Sequence, residues 1–243
     1  MIDLTKLTER RLQSHPFNWA EISDLYSLHD AVALAKTFPH DYFKTVSGYG
    51  GEKDYEYEAR QLVEMGTHRI INPQTLSPEW LGLAQDLCLP SYRSAMSLLT
   101  GIDLISAPIE VNVFHYGPGA CLGPHPDLSD KLVTHILYFN ESWNPNDGGC
   151  LNILRSPDPG GVVAVVPPIV GNSAIVVRSD DSWHAVSRVV DGCLSSRRSV
   201  TVTFYRPSSV SSMWPENDQS PLHRYDADVE ARRRAFKVEN ANG

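Results

Sequence analysis

Cysteine is scarce in this chain: the 243 residues hold four, Cys88, Cys121, Cys150 and Cys193, and none stands in a C-x-x-C pair. A disulfide framework and a thiolate zinc knuckle are thereby excluded as the basis of the fold, and a reducing, cytoplasmic setting is expected. A long apolar run is missing too. The most hydrophobic stretch, Val162 to Val177, is broken by Pro167, Pro168, Gly171 and Asn172, so it reads as two buried strands around a turn and not as a membrane span. The opening MIDLTKLTERR has no apolar core of a secretory signal. Positive charge is in deficit, with a formal net charge of -8, which argues against phosphate neutralisation as a way of holding a partner. Neither a nucleic-acid nor a membrane partner is expected, and the sequence does not set the oligomeric state. Internal repeats and low-complexity tracts are absent as well.

What the chain does contain changes character near residue 105. A single domain is expected over residues 1–243, with a helical N-terminal portion of about 1–105, a β core of about 106–207 and a tail, 208–243, carrying a short helix. In the segment from Leu25 to Phe38, Leu28, Ala31, Val32, Ala35 and Phe38 recur at helical spacing. Ser77-Pro78-Glu79 offers a cap, a first-turn proline and an acid for the positive end of the dipole, so a second helix should begin there. A third should follow Pro90 and end near Gly101. The aromatic stretch from Tyr42 to Tyr57 reads as a loop or hairpin. From Ile109 onward the runs become short and β-rich: Ile109–Tyr116, Val133–Asn140, Cys150–Arg155, Val162–Val166, Ser173–Arg178, His184–Val190 and Ser199–Arg206. This is the texture of a mainly β fold, a double-stranded β-helix or jelly roll flanked by helices. A last helix is expected from about Asp226, with Arg232, Arg233 and Arg234 on a solvated face.

His125-Pro126-Asp127 places an imidazole and a carboxylate two residues apart, so at a strand or its end both can project to one side. His184, at the start of a later β-run, supplies a third ligand. Two imidazoles and a carboxylate leave coordination positions open, the facial triad of non-haem Fe(II) oxygenases, whereas a structural zinc site closes its tetrahedron with protein ligands. Past His184 stands Arg197-Arg198, then an alternating strand. An arginine entering the barrel there could hold a dicarboxylate through a bidentate, charge-assisted contact. Arg197 shares parity with Ser199, Thr201 and Thr203, and Arg198 with Val200, Val202 and Phe204, so the polar set is placed in the site, with Arg198 as the alternative. His115 and His135 have the parity opposite to Tyr116 and Tyr138 and are left out of the site. His15, His29, His40, His68 and His223 carry no motif. Gly148-Gly149 reads as a turn.

Between Ile109 and Pro207 the sequence resembles the Fe(II)/2-oxoglutarate-dependent oxygenases of the prolyl-4-hydroxylase-like branch. The segments that carry the resemblance are Tyr116-Gly-Pro-Gly-Ala-Cys-Leu-Gly-Pro-His125-Pro-Asp127, His135-Ile-Leu-Tyr-Phe-Asn-Glu-Ser-Trp143 with Gly148-Gly149-Cys-Leu151, and His184-Ala-Val-Ser-Arg-Val with Arg197-Arg-Ser. The resemblance implies that His125, Asp127 and His184 bind Fe(II) and are the catalytic centre. It implies that Arg197 binds the distal carboxylate of 2-oxoglutarate, that Tyr116 and Tyr138 contact this co-substrate, and that O₂ is the second one. Because Asp127 keeps the carboxylate that halogenating relatives replace, the resemblance is to an oxygenase. Oxidative decarboxylation of 2-oxoglutarate would then drive hydrogen abstraction from a C–H bond, leading to hydroxylation, epimerisation or ring closure.

Substrate recognition is expected from the Tyr42–Tyr57 stretch and from Met213-Trp214-Pro215, whose aromatic character suits a flat or apolar small molecule. The helical N-terminal portion is similar to that of small actinobacterial oxygenases that tailor antibiotics, including those of the nogalamycin pathway. This implies a polycyclic or glycosylated natural product, with antibiotic biosynthesis as the setting. Two alternatives are a prolyl hydroxylase acting on a peptide or protein and a non-catalytic jelly-roll protein with a structural metal.

Overall fold

The computed structural model describes residues 1–51 and 54–226. Four α-helices precede the core: α1 (Thr5–Thr8), α2 (Leu28–Lys36), α3 (Pro78–Cys88) and α4 (Pro90–Thr100). Their ends follow local chemistry. The Ser27 hydroxyl accepts from the Asp30 N–H and the Ser77 hydroxyl from the Trp80 N–H, Pro78 and Pro90 occupy first turns, and Gly101 ends α4 at φ +72°. The buried face of α2 is Ala31, Leu34 and Ala35. Leu28, expected on that face, is 82% exposed, because the Ser27 cap starts the helix there and turns it outward. Leu25 and Phe38 are buried from positions outside the helix.

The strands are β1 (Trp19–Ile22), β2 (Lys44–Gly48), β3 (Tyr55–Val63), β4 (Ile109–Tyr116), β5 (Cys121–His125), β6 (Lys131–Tyr138), β7 (Leu151–Leu154), β8 (Val162–Val166), β9 (Ser173–Val177), β10 (His184–Val186) and β11 (Arg197–Tyr205). They form one nearly closed antiparallel ladder in the order β1-β9-β6-β11-β4-β3-β5-β10-β7-β8, with β2 on β3. The ladder folds back on itself where β3 hands over to β5 at Tyr55–Leu122 and Glu56–Cys121. A larger sheet, β1 to β3, thereby faces a smaller one, β5-β10-β7-β8. Phe17, Trp19, Ile136, Tyr138, Leu151, Ile153 and Val176 pack between the two. The helices cover the outer face of the larger sheet, where Val111, Val113, Val200, Val202 and Phe204 meet Trp80, Leu83, Tyr92 and Met96. Mainly β with flanking helices, the architecture is that of a jelly roll.

β1 and most of β3 lie where the N-terminal portion was expected to be helical. β3 reads YEYEARQLV, rich in helix formers, yet its alternation puts Tyr57 and Ala59 inside, and pairing with β4 overrides local propensity. The Tyr42–Tyr57 stretch is the hairpin of β2 and β3. The run expected over His184–Val190 is paired only to Val186, and β11 begins at Arg197, two residues early. The helix expected from about Asp226 lies outside the described residues. No described helix is long and apolar enough to cross a membrane.

Candidate metal centre

β5 and β10 are neighbours in the smaller sheet, and their register sets His125 directly opposite His184. The two imidazole centroids are 4.4 Å apart. Asp127 stands just beyond the end of β5, where Pro126 has broken the ladder. The three side chains are buried, and one ligand atom from each lies within 4.8 Å of the others.

The surrounding hydrogen bonds prepare these atoms for a cation. His125 Nδ1 is 2.9 Å from the Gly123 carbonyl and His184 Nδ1 is 2.8 Å from the Ser182 carbonyl. A carbonyl only accepts, so each Nδ1 carries a proton, and in the neutral imidazole that leaves the lone pair on Nε2, the tautomer a metal requires. Asp127 Oδ1 accepts from Lys131 Nζ at 2.7 Å and Oδ2 from the Thr134 hydroxyl at 2.8 Å. Burial alone raises the Asp127 carboxyl, but Lys131, His184 and His125 outweigh it and hold the group far below the usual carboxylate range. An ionised carboxylate beside two imidazoles, with no thiolate in the cluster, fits Fe(II).

Thr134 was not foreseen, although it shares β6 parity with Tyr138, and that alternation is the signal that marks it. For Lys131 we find no sequence signal. Thr134→Val keeps the shape and removes the hydroxyl. The variant is expected to bind Fe(II) about 10–100-fold more weakly, measured by competition with a chelator; unaltered affinity would reduce Thr134 to a packing role.

The register of β11 against β4 and β6 places Arg197 opposite Tyr116, and Ser199 opposite Tyr138. The Arg197 guanidinium lies 4.7 Å from the Tyr116 ring centroid and 5.3 Å from that of Tyr138. Arg197 is 2% exposed. Its Nη1 donates to Ser199 Oγ at 2.8 Å, its Nε has no hydrogen-bond partner, and among the described residues no acidic side chain forms an ion pair with it. Burial pushes both tyrosine hydroxyls above their usual range, against the pull of Arg197, so both stay protonated donors. Arg198 points the other way, with Nη1 on the Ala35 carbonyl and its guanidinium over Phe38. His115 and His135 also face the helices, bonded to Ser196 and Pro39 and to Tyr92 respectively. Burial takes His135 down to about 3. Gly148 and Gly149 form a turn at φ +71° and +70°. A Cβ on Gly148 would sit 1.9 Å from the Arg188 carbonyl oxygen, and one on Gly149 would lie 3.4 Å from Arg197 Cβ. Only glycine fits there.

At one end of the barrel Tyr57, Phe114 and Tyr116 meet Trp143, Met213 and Trp214. The strap after β11 is anchored there. Trp214 Nε1 donates to Asn112 Oδ1 at 2.7 Å, Lys44 Nζ lies 4.1 Å from the Trp214 ring centroid, and Lys44 pairs with Asp218. Both segments expected to supply recognition thus meet at the inward face of β4.

Residues 111–206 match the 2OG-Fe(II) oxygenase superfamily, an oxidoreductase family that uses Fe(II), 2-oxoglutarate and O₂. A prolyl 3,4-dihydroxylase of Ostreococcus tauri is 26% identical over 145 residues, 56% of this chain. The chain spans only 28% of that relative's length. Solved structures that share the fold include the following two. A Pseudomonas putida prolyl-4-hydroxylase superposes with a TM-score of 0.53 at 22% identity, covering 77% of this chain and 92% of its own. The non-haem α-ketoglutarate-dependent epimerase SnoN of nogalamycin biosynthesis gives 0.51 at 14% identity, covering 92% and 91%.

Proposed function

We propose that the 2OG-Fe(II) oxygenase domain carried by residues 111–206 makes this chain a dioxygenase that removes hydrogen from an unactivated C–H bond of a small-molecule natural product. His125, Asp127 and His184 would hold the iron, and Arg197 the distal carboxylate of 2-oxoglutarate. The observation that carries this reading is Arg197, a buried cation with no described counter-anion and an unused donor edge. Leaving such a charge unpaired is costly, and a dicarboxylate offers the planar, bidentate partner that removes the cost. When bound, Fe(II) with 2-oxoglutarate and O₂ supplies the oxidising power. The chain's own residues orient and enclose: Ser199 fixes the guanidinium, Tyr116 and Tyr138 wall it and offer hydroxyl donors, and Trp143 and Trp214 keep water from the barrel end.

A small substrate is favoured by the strap, since Met213 and Trp214 are tied across the aromatic end where a long peptide would need an open groove. A polycyclic or glycosylated compound suits that lining, and the fate of the substrate radical then decides between hydroxylation, epimerisation and ring closure. The similarity to a prolyl 3,4-dihydroxylase favours a second reading, a proline-containing peptide. Anaerobic titration with Fe(II) and 2-oxoglutarate tests the core of the proposal through the visible charge-transfer band of a chelated keto acid. Its absence from folded, iron-loaded protein would sink the proposal. With the band present, succinate formation stimulated by prolyl peptides but by no small polycyclic compound would move the substrate to the second reading.

A further inference from the structure

Arg197 is not the only buried charge without a described counter-charge. Glu110, on β4, is 2% exposed. Its Oε2 accepts from the Asn112 amide at 3.1 Å and from the Tyr205 hydroxyl at 3.3 Å, while Oε1 has no hydrogen-bond partner. No described lysine, arginine or histidine forms an ion pair with it. Arg197 cannot serve, because the register places Arg197 at Tyr116 and Thr203 at Glu110. The two charges are therefore about 20 Å apart along one pair of strands.

Glu110 shares strand parity with Asn112, Phe114 and Tyr116, so it faces the barrel interior. Across the sheet it lies in one row with Thr203 and Thr134, and Thr134 donates to the Asp127 carboxylate at 2.8 Å. Tyr205 senses both ends of this row: burial raises its hydroxyl, and the negative charges of Glu110 and Asp127 raise it further, so it remains a donor. Asn112 is fixed as well, since Trp214 occupies its carbonyl oxygen and turns its amide toward Oε2. Two donors thus hold one oxygen and leave the other aimed and unsatisfied. Buried carboxylates persist when they are paired or hydrogen-bonded.

We propose that Glu110 is a substrate-recognition residue and that its Oε1 receives an alkylammonium group of the substrate. The proposal rests on the reading of the triad as the reacting centre. An ammonium brings both the missing charge and several donors. Two strand spacings, about 10 Å, separate Glu110 from Thr134 along that row, so the reacting carbon lies several bonds from the nitrogen.

The test uses the metal-free full chain with cyclohexylammonium chloride, against cyclohexanol at matched ionic strength. The ammonium is expected to raise the unfolding temperature by about 2–4 °C at a concentration well above its dissociation constant, and cyclohexanol is not. Glu110→Gln, its fold checked by far-UV circular dichroism, should lose the shift. Glu110→Asp, which keeps the charge but withdraws it by one methylene, should retain part of it. No shift in the unaltered protein, an equal response to cyclohexanol, or a shift that survives in Glu110→Gln would overturn the proposal. The charge-transfer band reports on iron and 2-oxoglutarate alone, so failure of that reading is seen separately.

Discussion

His184→Ala and Asp127→Ala are expected to abolish the charge-transfer band and to bring 2-oxoglutarate decarboxylation below detection, while both proteins stay folded. Each substitution removes one of three ligands, and two remaining groups cannot define one face of an octahedron. Folding survives for different reasons. Asp127 is buried, so its carboxylate contributes desolvation cost as well as attraction in the metal-free protein. Its partner Lys131 has a 21% exposed side chain and can turn to water when the carboxylate is gone. His184 lies on a three-residue strand whose backbone pairs with β5 and β7 without the ring. Far-UV circular dichroism and the band, measured on the same samples, separate lost chemistry from lost fold. Normal turnover in either variant would remove the triad from the mechanism.

Arg197→Ala should weaken 2-oxoglutarate binding by about 2–5 kcal/mol, roughly 30-fold to several thousand-fold, because a buried charge pair loses one partner. Arg198→Ala should leave that affinity unchanged and cost about 1 kcal/mol of stability, since Arg198 bonds the Ala35 carbonyl and covers Phe38. Titrating 2-oxoglutarate into both iron-loaded variants decides between adjacent arginines. If Arg198→Ala carried the loss, the strand would have to run one residue out of the observed register, which would reverse every side chain of β11.

Period-two alternation made much of this site legible. The same parity that separated Arg197 from Arg198 separates Tyr116 and Tyr138 from His115 and His135, and the β4-β11-β6 register shows each group on its own face. Carried two and three steps further along β4, it also marks Asn112 and Glu110, although no motif draws attention to either. Lys131 was illegible for a different reason: its role depends on the turn between β5 and β6, and turn geometry is not written in alternation. β1 was missed because WAEI is too short to show a period, and β3 because its glutamates, alanine and arginine favour helix until β4 pairs with them. The face of α2 was misjudged at Leu28, where a serine cap fixed the start of the helix and thereby its rotation.

His125 and His184 stand on the smaller sheet, whereas Arg197, Tyr116 and Tyr138 stand on the larger, and the seam from β3 to β5 consists of two residue pairs. An ion gripped from one side and a dicarboxylate gripped from the other would act as a rivet through the two walls. The gape of the barrel would then be governed by its contents, and a vacant barrel would be the looser vessel, its rim free to spread about a short hinge at Tyr55 and Glu56.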